Sequence, residues 1–206
     1  MYDPFAPSRL TRTVDPAALI STADMKDFLR VDISDDDTLI DDLIGAAAAH
    51  MDGRDGVLGR ALLTQTWTLA LDDFPCETWD DPFAGIRVPL PPLQSVSSIT
   101  YLDGLGVEQT LATSVYAVDT ASQPGIISLK SGQSWPGVQD VRNAVTITFV
   151  AGYGDTASSL PRPLRLAAQQ LVATWYDNRA SVVIGAPPTV LPHAFPRLIA
   201  PYVVHY

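Results

Sequence analysis

The spacing of apolar residues changes twice along the chain, and this change constrains the fold more than any single motif. Residues 21–61 carry apolar side chains at helical spacing, residues 62–153 carry them mostly at every second position, and residues 154–184 return to helical spacing. A period of 3.6 indicates amphipathic helices and a period of two indicates half-buried strands. The sequence therefore predicts an α+β fold: a small helical bundle of three main helices plus a C-terminal tail, with an inserted antiparallel β subdomain.

The first predicted helix begins at a capping signal. Ser21 is a good N-cap because its hydroxyl can accept the backbone N–H of Asp24, whose own carboxylate lies near the positive end of the helix dipole. The predicted apolar face consists of Met25, Phe28 and Leu29.

The second predicted helix follows from the stretch VDISDDDTLIDDLIGAAAAHMDG (residues 31–53), which contains seven aspartates. A calcium loop needs acids at alternate positions and a glycine, whereas Asp35, Asp36 and Asp37 are consecutive. Ser34 or Asp35 is expected to cap the helix, and acids in its first turn are favoured by the dipole. The run therefore indicates helix capping and a solvated face rather than a metal site.

Seven short segments between residues 62 and 153 have the alternation of strands. In TQTWTLAL, Trp67, Leu69 and Leu71 share one face. DGLG (residues 103–106) predicts a hairpin and SQPG (residues 122–125) predicts a second turn.

The third predicted helix lies in LPRPLRLAAQQLVATWYDNR, with Pro161 at its first position. Residues 154–184 complete the helical part begun by residues 21–61. Residues 1–20, interrupted by prolines, predict an extended N-terminal arm, and residues 185–206 predict a loop and tail.

Charge is distributed unevenly. Residues 1–108 contain 7 lysines or arginines and 19 acids, and the remainder contains 6 and 4. This excess of acidic residues argues against binding nucleic acid through contacts to its phosphates. No metal-binding pattern stands out, since His50, His193, His205 and the single Cys76 lack partners at ligand spacing. No G-x-S-x-G catalytic motif is present, and no apolar run approaches the roughly 20 residues needed to cross a bilayer. We expect a soluble, non-secreted protein without a cofactor.

An aromatic loop is a candidate contact surface. DDFPCETWDDPF (residues 72–83) places Phe74, Trp79 and Phe83 among acids. Large apolar groups in a polar loop either fold back on the sheet or contact a partner.

The order of segments resembles the head–tail connector (adaptor) family of tailed bacteriophages and gene transfer agents. The resemblance covers about residues 21–202. It is carried by LRVDISDDDTLIDDLIGAAAAHM, GRALLTQTWTLALDDFP, IRVPLPPLQSVSSITYLDGLGVEQTL, YAVDTASQPGIISL, AVTITFVAGYGD, LPRPLRLAAQQLVATWYDNR and the terminal LIAPY.

The resemblance implies a structural, non-enzymatic protein without a cofactor. Members form a ring of twelve copies below the portal protein, extend the DNA channel without binding DNA specifically, and link the head to a stopper or tail-terminator protein. The implied location is the neck of a virion or virus-like particle, assembled in the bacterial cytoplasm.

Two sets of residues are candidates for these contacts. Arg162 and Arg165 are candidate ring contacts, because unlike surfaces must meet in a head-to-tail ring. The apolar residues of the tail are candidate portal contacts: Phe195, Leu198, Ile199, Tyr202, Val203, Val204 and Tyr206.

Two other classes of function stay open. One is a non-enzymatic ligand- or glycan-binding module, in which the β subdomain would use aromatics such as Trp79 and Trp135. The other is a hydrolase with an unrecognised site.

Overall fold

Within the residues that the structure describes, eight strands and four helices follow one another, and all but the first strand come in the order that the change of period predicts. A computed structural model of the protein describes residues 9–75, 85–178 and 194–204. The strands are β1 (Leu10–Val14), β2 (Gln65–Leu71), β3 (Ile86–Val88), β4 (Leu93–Leu102), β5 (Glu108–Thr110), β6 (Tyr116–Asp119), β7 (Gly125–Leu129) and β8 (Val145–Ala151). The helices are α1 (Thr22–Leu29), α2 (Asp37–Met51), α3 (Arg162–Asp177) and α4 (Ala194–Ile199). The predicted α+β class is confirmed.

A five-stranded antiparallel sheet in the order β1-β2-β8-β4-β5 contains the longest strands. In β2 and β8 every second side chain is buried, which is the signature of strands with one face in the core. Trp67 and Leu69 lie opposite Phe149 and Ile147, and all four are buried. The predicted common face of Trp67, Leu69 and Leu71 is confirmed.

A second antiparallel sheet, of three strands in the order β3-β7-β6, packs close to the first. A Cβ atom at Gly125 in β7 would lie 2.5 Å from Cδ2 of Leu93 in β4, so only glycine permits this approach. The predicted SQPG turn joins β6 to β7, and Asp119 closes it by accepting the backbone N–H groups of Ala121 (2.8 Å) and Ser122 (3.3 Å).

Strand β1 lies where the sequence predicts only an extended arm. Leu10 pairs with Leu69 and is buried, and the guanidinium of Arg12 lies 4.8 Å from the ring centroid of Trp67. Arg9 also forms an ion pair with Asp72 at 2.5 Å. Tertiary pairing with β2 makes a strand of residues that have little alternation of their own.

Helix α1 begins as predicted. The Ser21 hydroxyl accepts the backbone N–H of Asp24 at 3.0 Å, and Met25 is fully buried. The assignment of Phe28 to the buried face is wrong, since Phe28 is exposed and Leu29 is half-buried. Met25 and Leu29 are one turn apart, whereas Phe28 lies about 100° away from Leu29 around this eight-residue helix.

Helix α2 has its N-cap one or two residues later than predicted. Asp36, rather than Ser34 or Asp35, occupies the N-cap position, and its side chain makes no capping hydrogen bond. The Ser34 carbonyl accepts the Asp37 N–H at 3.1 Å, which forms a turn ahead of the helix. The buried stripe consists of Ile40, Ile44, Ala47 and Met51.

Helix α3 buries the predicted stripe, and α2 and α4 both pack against it. Its buried residues are Leu164, Ala167, Ala168, Leu171 and Val172, while Trp175 is half-buried. Pro161 is the N-cap residue rather than the first helical residue, and Pro163 lies in the first turn, where a missing N–H costs little.

The chain divides into two compact units. Residues 9–15 and the described part of 64–153 form the β unit, and residues 16–63 with the described part of 154–204 form the helical unit. Among the helices within these ranges, none combines the length and the apolar character required to cross a bilayer.

Candidate functional site

The aspartate run connects the three main helices of the helical unit. Lys26 of α1 forms an ion pair with Asp37 at 2.7 Å, and the Tyr176 hydroxyl of α3 donates to Asp36 at 2.5 Å. The Thr22 hydroxyl donates to Asp41. Within the three described ranges, no group of three or more potential ligand side chains could bind a metal ion. These aspartates have structural partners on neighbouring helices.

The loop after β2 turns its first aromatic residue inward. Phe74 is buried, stacks on Trp135 with ring centroids 4.7 Å apart and planes 4° apart, and contacts Tyr101 edge-on at 5.9 Å. Of the three candidate loop contacts, Phe74 therefore packs within its own unit. Trp79 and Phe83 lie outside the described residues.

An open pocket of about 410 Å³ lies beside this stack. Its lining includes Asp73, Phe74, Leu129, Trp135 and Pro136. Because Phe74 and Trp135 cover one face of each other, the stack leaves less aromatic surface for a sugar ring than the two rings would offer if they were unstacked.

The carboxylate of Asp72 secures the edge of the β unit. The side-chain hydrogen bond from Arg9 lowers the pKa of Asp72, and the backbone N–H of Asn143, which donates at 2.9 Å, lowers it further. Asp72 therefore joins β1 to the segment before β8 as an ionised acceptor.

Hydrogen bonds to Asp103 stabilise the turn of the β4–β5 hairpin. Its carboxylate accepts the backbone N–H groups of Val107 (3.0 Å) and Leu105 (2.9 Å) and the side-chain amide of Gln109 (3.0 Å). These hydrogen bonds, led by that from Val107, lower the pKa of Asp103. The predicted DGLG hairpin is confirmed, and Gly106 has the positive φ of +78° that the turn requires.

The candidate portal contacts of the tail separate into buried and accessible residues. Phe195 and Ile199 are buried, and the Phe195 ring lies 6.1 Å from that of His50. Leu198, Tyr202, Val203 and Val204 are half-buried, and Tyr206 lies outside the described residues.

Two contacts join the end of the tail to the loop after α2. Arg60 donates from Nε to the Tyr202 carbonyl at 2.6 Å, and its guanidinium lies 6.0 Å from the Tyr202 ring centroid. The backbone N–H of Val204 donates to the Leu58 carbonyl at 2.9 Å. Arg60 was not predicted as a functional residue, because its partner Tyr202 lies 142 positions away in the sequence.

The candidate ring contacts lie at the start of α3. Arg162 is exposed, Arg165 is half-buried, and the neighbouring Leu166 is an exposed apolar residue. Leu166 was also not predicted as a surface residue. Leu166 lies between the buried Leu164 and Ala167 in the sequence, so a linear reading does not reveal its exposure.

The sequence matches no protein-family model and no curated protein. Solved structures do match. A chain of the neck of the empty gene transfer agent (GTA) particle, computed with C6 symmetry, has a TM-score of 0.72 at 23% identity, with 96% of each chain covered. A chain of the virion of the native GTA particle has a TM-score of 0.74 at 22% identity, again with 96% of each chain covered.

A chain of the neck of the native GTA particle, computed with C12 symmetry, has a TM-score of 0.70 at 23% identity and the same coverage of 96% of each chain. These three similarities extend over nearly the whole chain rather than over one unit. The protein therefore has the fold of chains that occur in the neck and virion of gene transfer agent particles.

Proposed function

We propose that the protein is a structural head–tail adaptor. It forms a ring of twelve copies below the portal, extends the DNA channel, and links the head to a stopper or tail-terminator protein. The observation that carries this proposal is the shared fold with GTA neck chains over 96% of both chains, one of them in a neck computed with C12 symmetry. The role is architectural, without catalysis or a cofactor.

The charge distribution suits a channel component. DNA contacts to phosphate come mainly from Lys and Arg, and the first 108 residues contain 19 acids against 7 basic residues. Asp72 and Asp103, with lowered pKa values, stay ionised to lower pH than ordinary aspartates. An acidic wall would repel phosphates and allow DNA to pass without adhering.

The tail supplies the contact with the portal. Phe195 and Ile199 are buried in the helical unit, so we assign them the role of fixing the tail to its own subunit. The half-buried Leu198, Tyr202, Val203 and Val204 retain accessible surface for a partner. Tyr206, as part of the same chain end, remains a proposed portal contact.

A glycan- or ligand-binding module is the second candidate, favoured by the pocket beside Phe74 and Trp135. The mutual stacking of the two rings weakens this alternative, because sugar platforms use free aromatic faces. Binding of the purified chain on a glycan array, lost on Trp135→Ala, would favour it over the adaptor.

The decisive experiment images particles from a strain that encodes this chain. We expect density for twelve copies between portal and tail, and we expect deletion of the gene to leave DNA-filled heads without tails. Particles with complete necks in the deletion strain would refute the proposed function. A substrate turned over by the purified chain would refute its non-enzymatic character.

A further inference from the structure

The β4–β5 hairpin presents apolar side chains to solvent on a rigid support. Leu105 is 89% exposed and Val107 is 52% exposed, although both lie in a turn that Asp103 fixes through hydrogen bonds to their backbone N–H groups. We call residues 103–108 the hairpin tip. An ordered turn loses little conformational freedom when a partner covers it, so its apolar surface is available for association.

The segment behind the hairpin adds to this surface. The Gln139 N–H donates to the Leu102 carbonyl at 3.0 Å, and Val141, two residues on, is exposed. The charges of Asp140 and Arg142 cancel, so Asp103 and Glu108 make the tip acidic. The hairpin tip thus combines exposed apolar side chains with negative charge.

A surface of opposite charge lies on the helical unit. Leu166 of α3 is 38% exposed, Arg162 is exposed one turn earlier, and Arg165 is half-buried beside them. We call these three residues the Leu166 surface. It combines an exposed apolar side chain with two positive charges. The apolar side chain can pack on those of the hairpin tip, and the positive charges are opposite in sign to the charge of the tip.

We propose that the hairpin tip of one copy docks on the Leu166 surface of the next copy. This inference rests on the proposed function, because it names the two faces through which the ring subunits meet. The faces are different parts of one chain, so the contact is head-to-tail and repeats around a closed ring. In this contact the side chains of Leu105 and Leu166 bury each other from water, and the carboxylate of Glu108 lies beside Arg162 and Arg165.

Cysteine cross-linking tests the contact in assembled particles. In a Cys76→Ser background, a chain carrying both Leu105→Cys and Leu166→Cys should give a ladder of disulfide-linked oligomers. An equal mixture of chains with one cysteine each should give dimers and nothing larger. The matched control is Val14→Cys with Leu166→Cys, which places an exposed thiol on strand β1 and should give no ladder.

The outcomes separate the two proposals. If particles contain the chain in their necks but the Leu105/Leu166 pair cross-links no more than the control, the docking contact is wrong and the adaptor role stands. If the chain is absent from the necks, the proposed function fails and the contact fails with it.

A charge exchange tests the electrostatic part. Arg162→Glu with Arg165→Glu should lower incorporation into particles by roughly tenfold at low salt, because like charges then oppose each other. Adding Glu108→Arg should recover most of this loss. Arg87→Glu, an exposed site on β3, is the matched control and should change little. A folded triple variant that recovers nothing would overturn the pairing.

Discussion

Arg60 donates a hydrogen bond from Nε to the carbonyl oxygen of Tyr202 at 2.6 Å, across 142 positions of the chain. Arg60 is buried, so the carbonyl and the guanidinium satisfy each other where water has little access. This contact fixes the direction in which the end of the tail leaves the helical unit. It also explains why a charged residue lies beside the apolar residues 61–63.

Arg60→Met should destabilise the helical unit and loosen the tail. Loss of a hydrogen bond from a charged donor should lower the free energy of unfolding by about 1.5–3 kcal/mol. Urea unfolding measures this value, and limited proteolysis should show earlier cleavage near residue 200. Arg54→Met removes an exposed arginine that forms an ion pair with the neighbouring Asp55, and should change stability by less than about 0.5 kcal/mol. Equal effects of the two variants would contradict the anchoring role.

Phe74→Ala should be one of the most destabilising changes in the β unit. The substitution removes a buried ring stacked on Trp135 and should cost about 3–5 kcal/mol. Thermal unfolding followed by tryptophan fluorescence would report both the loss of stability and the changed surroundings of Trp135. Leu105→Ala, at an 89% exposed position, is the control and should leave the stability of the isolated chain unchanged. A small effect of Phe74→Ala would mean that the stack does not persist in solution.

The pH dependence of stability should be altered by Asp72→Asn. The pKa of Asp72 is lowered from its ordinary 3.8, chiefly by the hydrogen bond from Arg9, so the carboxylate stabilises the folded state above that ordinary value. This contribution is lost as the pH falls through the lowered folded-state pKa. Denaturant unfolding at pH 7 and at pH 3 or below should therefore show a difference between wild type and Asp72→Asn that shrinks in acid. A difference that is constant across this range would contradict the assignment.

Val203→Asp should separate portal joining from folding. The side chain is half-buried, while the neighbouring contacts of Tyr202 and Val204 use backbone atoms and persist. We expect a folded chain by circular dichroism and a large loss of tailed particles in a complementation assay. Ala200→Asp places the same charge at an exposed site three residues earlier and should be tolerated. This pair is sharper than removing residues 201–206, because that truncation also removes the partner of Arg60. Normal joining by Val203→Asp would argue against the tail as the portal contact.

Local sequence patterns were sufficient to predict the main helices and strands. The alternation of Trp67, Leu69 and Leu71 predicted a strand with one buried face, and the spacing of Leu164, Ala168 and Leu171 predicted the buried side of α3. Ser21 predicted a helix start because a capping hydrogen bond spans only three residues. Each of these features depends on neighbours in sequence, so the sequence contains the whole of the relevant interaction.

Residues whose roles depend on distant partners could not be placed in this way. Strand β1 exists because β2 offers an edge, and Phe74 turns inward because Trp135 lies beside it. The sequence by itself determined the α+β architecture, the acidic character and the positions of the main helices and strands. Tertiary structure alone decided that Arg60 anchors the tail, that Phe28 faces solvent, and that Leu105 and Leu166 stay exposed. Burial is a property of the assembled neighbourhood, whereas periodicity and capping are properties of the local chain.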